Sequence, residues 1–297
     1  EQTVVNSIDS LTTIGLPLNN QFKLALRACI NHSANAIKRV AIQCFVRLGV
    51  DEFSDVIAQL EEHPDPLVSG AALAYSVRWT RSLKKLDAIC ARLLNPVVSV
   101  RRASVIDLGD AAHEGCLPFL ASSAVSMPLR AKSALRILGT IDRHTLNPEL
   151  EKILVDDPRQ LAYPVELSAP TSIDQISEFL RHRDEGKQYL GAKMLLELDS
   201  ELQSNVLASL WEEHGSDYGV HYLITNSISS LRLKQLSHIV IDALNNKEPQ
   251  YAKSRIAAVW ACLNLGLADT RSTIERLFLE TTWEPLKVTC FSVLKSL

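Results

Sequence analysis

A helix-like segment ending in Leu-Gly recurs along the first half of this chain at a fixed spacing. Ala36 to Gly49 ends this way, Asn95 to Gly109 does so sixty residues later, and Pro128 to Gly139 thirty residues after that. Asp65 to Trp79 has the same form, with Trp79 in the glycine's place, so positions 49, 79, 109 and 139 stand in phase. Two columns of that alignment carry packing information. Positions 44, 74, 104 and 134 hold Cys, Ala, Ser and Ala, all small, while 45, 75, 105 and 135 hold Phe, Tyr, Val and Leu, all large. A small residue beside a large one lets the ridge of a neighbouring helix approach closely. Proline near a helix start and glycine just past its end follow the usual asymmetry of helix caps, so Gly49, Gly109, Gly139 and Gly266 read as helix terminators.

Shorter amphipathic segments, Phe53 to Leu60 and Leu86 to Leu94, lie between these helices, with apolar residues at three- and four-residue steps. Each period is thus a helical hairpin that cannot bury its apolar face alone. The pattern breaks from about Asn147 to Ser172, where Pro148, Pro158, Pro164 and Pro170 crowd together, and resumes at Glu185 to Leu198. Further units run from Asp217 to Leu231, Tyr251 to Gly266 and Trp283 to Leu297. No β-alternation persists. The expectation is an all-α chain, an α-solenoid or alpha-alpha superhelix of repeats of about thirty residues. It would have an N-terminal stack over 1–146, an irregular Pro-rich connection over 147–172 and a C-terminal stack over 173–297.

Composition narrows the function classes. With 46% hydrophobic residues in 297, the chain is not disordered, and 31 Lys and Arg against 34 Asp and Glu give a net charge of −3. That balance argues against a sequence-independent nucleic-acid binder. Eleven glycines leave little material for phosphate-cradling loops, and Rossmann, Walker A, nucleophile-elbow and zinc-protease patterns are absent. The longest nearly uncharged apolar run, Ile256 to Ala268, is too short to span a bilayer, so no membrane insertion is expected. Glu1 to Val5 lacks a basic region followed by an apolar stretch, so no signal peptide is expected there. Six scattered cysteines without a Cys-x-x-Cys read as free buried thiols, which predicts a cytoplasmic protein. His113-Glu114 is the only His-Glu pair, and one pair does not make a metal site.

The densest polar and aromatic cluster is Trp211 to Tyr222. Asp217 and His221 are four apart and can share a helix face, and Tyr218 and Tyr222 add acid/base-capable groups beside them. The alternative is that Ser216 or Asp217 caps a helix while the aromatics pack. Trp79, Trp211, Trp260 and Trp283 are candidates for lining a flat ligand, although Trp260, in Ala257 to Cys262, also fits a helix core. Arg81 could hold a ligand carboxylate through its fork, or be an ordinary solvated arginine, whereas Arg101-Arg102 and Lys84-Lys85 are small basic clusters that read as solvated helix faces or as part of a partner-binding concave surface.

Pro128 to Gly139 resembles the short HEAT-like repeat of the E/F-type phycobilin lyases, which has an Arg-x-x-Ala-x-x-Ala-Leu-x-x-Leu-Gly character. Tyr251 to Cys262 has the Tyr/Ala/Arg/Trp character of the same group, and the thirty-residue period fits its short repeats. The resemblance implies attachment of a bilin, a linear tetrapyrrole, to a cysteine of a phycobiliprotein subunit by thioether formation, in some members with isomerisation. The bilin would be a substrate and not a permanently bound cofactor. The acceptor subunit would be a partner, and a second lyase-family subunit a possible one. Such an enzyme needs Arg or Lys for the propionates, a carboxylate for the protonated pyrroles and aromatic rings over the flat face. Asp217, His221 and Tyr218 are then the catalytic candidates, and Trp79, Arg81, Arg101, Arg102, Tyr222, Arg255 and Trp260 the bilin-binding ones. The competing expectation is a non-catalytic HEAT-repeat scaffold, adaptor or chaperone; a HEAT-like DNA glycosylase is disfavoured by the charge.

Overall fold

The structure, a computed structural model, describes residues 1–15, 19–139 and 146–297. All regular elements among them are helical, apart from one isolated bridge between Ser123 and Ala162. Contacts divide the chain into two compact units, 1–120 with 133–139 and 121–132 with 140–297. The first contains α1 (Gln2–Ile14), α2 (Asn20–Ile30), α3 (Asn35–Arg47), α4 (Ser54–Ala58), α5 (Pro66–Thr80), α6 (Leu83–Ala91) and α7 (Val98–Ala111). α8 (Leu117–Ala121) and α9 (Met127–Leu138) have residues in both units. The second contains α10 (Pro148–Val155), α11 (Ile173–Leu180), α12 (Glu185–Leu196), α13 (Ser200–His214) and α14 (Tyr218–Leu231). It continues with α15 (Ser237–Asn245), α16 (Ala252–Leu265), α17 (Arg271–Glu280) and α18 (Glu284–Leu294).

In the first unit, α3 packs on α5 and α5 on α7. These helices are buried nearly all round: α5 is inaccessible without a break from Val68 to Val77. A helix apolar on every side has no solvent face and needs neighbours on both flanks. The small column, Cys44, Ala74, Ser104 and Ala134, is buried throughout; Phe45, Tyr75 and Val105 are buried beside it and Leu135 half-buried. Each large member withdrawn from water contributes about 1.5–3 kcal/mol. Ion pairs cross the same layer. Arg39 bonds Asp107 at 2.6 Å, and Arg47 grips Asp110 with two bonds of 2.9 Å while Arg136 adds a third of 2.9 Å. Burial pushes the Asp107 carboxyl up to about 6, against the pull of Arg39.

The glycine column departs from expectation. Gly49 (φ 73°) and Gly139 (φ 64°) adopt the left-handed conformation past their helices, as does Gly266 (φ 68°). Gly109 does not end a helix. It lies inside α7, and the left-handed residue there is Ala112 (φ 47°). A Cβ at Gly109 would stand 2.8 Å from the Cβ of Ser133, so the glycine provides room for close approach. Trp79 is likewise helical, with Arg81 (φ 55°) ending α5.

The stretch 147–172 also differs from the irregular connection expected. It opens with α10, because Pro148 occupies the first helical turn, where its missing N–H costs nothing, and the Asn147 side chain accepts from Glu149 N (2.9 Å). In the second unit α12 packs on α14, α14 on α16 and α16 on α18. No helix of the described residues is long and apolar enough to cross a membrane.

Candidate functional site

The carboxylate of Asp217 caps α14, accepting from Gly219 N at 2.7 Å and Val220 N at 3.1 Å. Two cross-links fix α16 beside it. The Tyr251 hydroxyl donates to Ser216 O at 2.7 Å, and Asn264 Nδ2 donates to Ser229 Oγ at 2.9 Å. Both span 35 positions, so the helices run parallel in one register. That register sets Lys253 over the aromatic residues at the start of α14. Its Nζ lies 4.9 Å from the centroid of Tyr222 and 5.9 Å from that of Tyr218, within cation–π range. Lys253 makes no side-chain hydrogen bond or ion pair among the described residues. Burial holds its ammonium below the ordinary lysine range, against the pull of Glu185, Asp156 and Asp217. Tyr218 is 58% exposed, so this end of the face reaches solvent.

Beneath Tyr222 lies a buried polar network. Asp156 ends α10 with φ 54° and is fully buried with Arg130. Its carboxylate accepts from Arg130 Nη2, from the Tyr222 hydroxyl and from the Tyr189 hydroxyl at 2.6 Å. Its carbonyl accepts from Asn226 Nδ2 at 3.0 Å. Arg130 also donates to Val125 O (2.7 Å) and Ala121 O (2.9 Å), so the buried charge is paired and its donors engaged. Burial, together with the Asp156 charge, pushes the Tyr189 and Tyr222 hydroxyls well above the ordinary tyrosine value. Both phenols are therefore neutral donors, and Tyr222 presents only its ring to Lys253.

His221 is 2% exposed and wedged between Trp211 (4.9 Å) and Tyr251 (4.7 Å). Neither ring nitrogen has a hydrogen-bond partner among the described residues, and burial lowers its pKa, against the pull of Asp242, so the imidazole is neutral at pH 7. Trp260 falls seven residues after Lys253, on the same face of α16, and is buried with Nε1 unpartnered. Arg255 is half-buried and gives Nη1 to Asn246 O and Glu248 O.

The remaining candidates lie in the first unit. Trp79 is 38% exposed and edge-on to Tyr75 at 6.3 Å. Arg81 donates to Ala112 O at 2.9 Å. Arg101 is fully buried, holding Asn95 O at 2.8 Å and Pro96 O at 2.9 Å, while Arg102 beside it is exposed. The structure thus brings Asp217, Tyr218 and Tyr222 together and adds groups that the sequence reasoning passed over: Lys253, Asp156, Arg130 and Tyr189. Lys253 stands 35 positions after Tyr218, a spacing that the thirty-residue phase of the first half does not give. Among the described residues no group of three His, Cys, Asp or Glu is placed to hold a metal.

No family model matches the chain. Two curated proteins do. The uncharacterized phycocyanin operon protein Y of Pseudanabaena tenuis is 29% identical over 235 residues, which cover 77% of this chain and 56% of that protein. The bilin biosynthesis protein CpeY of a Synechococcus strain is 25% identical over 240 residues, 77% of this chain and 57% of that protein. The chain therefore spans little more than half the length of these relatives. They bear out the resemblance to the E/F-type phycobilin lyases read from its repeats, and the chain is a relative of phycocyanin operon protein Y and bilin biosynthesis protein CpeY.

Proposed function

We propose that this chain takes part in bilin attachment as a lyase, holding a linear tetrapyrrole while a phycobiliprotein cysteine adds to it. The observation that carries this reading is Lys253, which makes no side-chain hydrogen bond or ion pair among the described residues and lies over the rings of Tyr222 and the exposed Tyr218. A bilin is a long conjugated plate with carboxylate arms. Aromatic faces beside an ammonium suit such a molecule, and a charge-assisted hydrogen bond from that ammonium to a carboxylate adds about 1.5–3 kcal/mol. Asp217 supplies negative charge near the protonated pyrroles, and its cap bonds hold it in place. In the addition, the acceptor's sulfur bonds to a vinyl-type carbon of ring A, and the π pair takes a proton at the neighbouring carbon. Tyr218, the exposed phenol, is the proton donor of this proposal, and the thiol proton leaves to solvent. His221, sealed and neutral, is a positioning residue that sets the start of α14. We read the successive hairpins as one α-solenoid of short HEAT-like repeats, in which the acceptor subunit and a second lyase-family chain find their surfaces.

The commitment of Asp217 to its cap and of the Tyr222 hydroxyl to Asp156 favours a second reading, a bilin-holding chaperone without chemistry. One experiment separates them. Purified protein mixed with a phycobilin should shift the bilin's visible absorbance, and Lys253→Met should weaken binding about tenfold with unchanged circular dichroism. Coexpression with a bilin supply and an apo-phycobiliprotein should give covalent colour. Binding without covalent product leaves the chaperone, and no absorbance change removes both.

A further inference from the structure

Two residues beyond Lys253, Arg255 points about 200° away around α16 and belongs to different surroundings. It lines a cavity of about 250 Å³ formed by α15, α16, α17 and α18. Three cationic side chains, Lys247, Arg255 and Arg276, meet there with one carboxylate, Glu280, while Leu277 and Leu286 form an apolar wall. None of the three cations forms an ion pair among the described residues. Lys247 and Arg276 make no side-chain hydrogen bond or ion pair among the described residues. Arg276 and Glu280 make none with each other although they stand one turn apart on α17. Arg255 spends Nη1 on two backbone carbonyls, and its Nε is buried with no acceptor. A chain of net charge −3 thus gathers three cations around one concavity with no ion pair to them among the described residues.

We propose that this cavity is an anion site for the carboxylate end of a short alkyl arm, separate from the Lys253 face. Forked guanidinium groups match a planar carboxylate, and the buried Arg255 Nε lacks the acceptor a carboxylate oxygen would supply. The leucine wall asks for an apolar stem behind the charged head. The volume is below the 300–1,000 Å³ or so of pockets that enclose a whole drug-sized ligand, so the site takes one arm of a molecule. Glu280 opposes the anion and limits its affinity. The inference rests on the charge and shape of this cavity and stands whether or not the bilin reading does.

The test is a titration of the full chain with sodium hexanoate, followed by leucine methyl resonances in NMR, with hexanol and inorganic phosphate as the comparison probes. Hexanoate should saturate and bind more tightly than either, with an affinity that falls as salt rises. Arg276→Gln, at an exposed position that does not threaten the fold, should weaken hexanoate about fivefold, and Glu280→Gln should tighten it about threefold, the scale of surface charge pairs. The Glu280 result is the discriminating one, because a merely structural role would not improve binding. Hexanol binding as well as hexanoate, phosphate binding more tightly than hexanoate, or hexanoate affinity unmoved by either substitution would each overturn the proposal.

Discussion

Asp156 concentrates more of the second unit's architecture than any other single residue described here. An aspartate can hold a left-handed backbone at modest cost, which lets α10 stop there while the side chain turns inward. Its carboxylate then anchors Arg130, Tyr189 and Tyr222, and through Tyr222 the ring beneath Lys253. Asp156→Ala should lower unfolding stability by about 3–5 kcal/mol in urea melts, because it strands the Arg130 charge in a dry interior. Asp156→Asn, which keeps the hydrogen-bonding shape, should lose less. None of this was readable beforehand. Asp156 and Asp157 sit side by side ahead of a proline, and Asp157 does the ordinary task of capping a short turn by accepting from Arg159 N at 3.0 Å. Only tertiary neighbours distinguish them. Asp217 is the opposite case: its place before an aromatic helix suggested both a cap and a ligand role, and the cap is directly visible.

At the scale of the helix, periodicity foresaw the helices of the repeat phase and the buried columns within them, because both follow from the spacing of apolar residues, but it did not name α1, α2, α10, α11, α13, α15 or α17. It foresaw helix ends less well. Gly49 and Gly139 terminate as read, but α5 and α7 run on past the glycine phase to Arg81 and Ala112. The residue that takes positive φ is set by where the next segment must turn, and a bulky or β-carbon-bearing residue accepts the strain when packing demands it. Gly109→Ala separates the two uses of glycine. In an exposed helix interior the change would gain about 1 kcal/mol. Here the new methyl meets the Cα and Cβ of Ser133 at 2.8–2.9 Å. Thermal melts should therefore show a loss of about 1–3 kcal/mol. In the second unit the helices α14 and α16 keep a 35-residue register, longer than the thirty-residue phase of the first half, so the aromatic–lysine face could not be aligned from that period alone.

For the molecule as a whole, the cysteines give the simplest test of the packing. Five of the six are buried and Cys29 is half-buried. Burial pushes the Cys90, Cys116 and Cys290 thiols up to about 12, so their thiolate fraction at pH 8 is negligible. Native protein should react promptly with a thiol reagent such as DTNB at no more than one site, and protein in guanidinium at all six. Rapid reaction of several thiols in the native state would contradict the buried helical layers. Those layers also constrain how such a chain can change in length. In the first unit, α5 carries Ala74 and Tyr75 on an edge that must meet α3 on one side and α7 on the other. Deleting one residue within α5 would turn everything after it by about 100°, carrying Tyr75 out of its slot and breaking both contacts at once. Removing a complete hairpin would leave two matching edges free to close on each other. Insertions and deletions should therefore be tolerated in steps of a whole hairpin and rejected in steps of one residue, so length in this kind of protein is quantised.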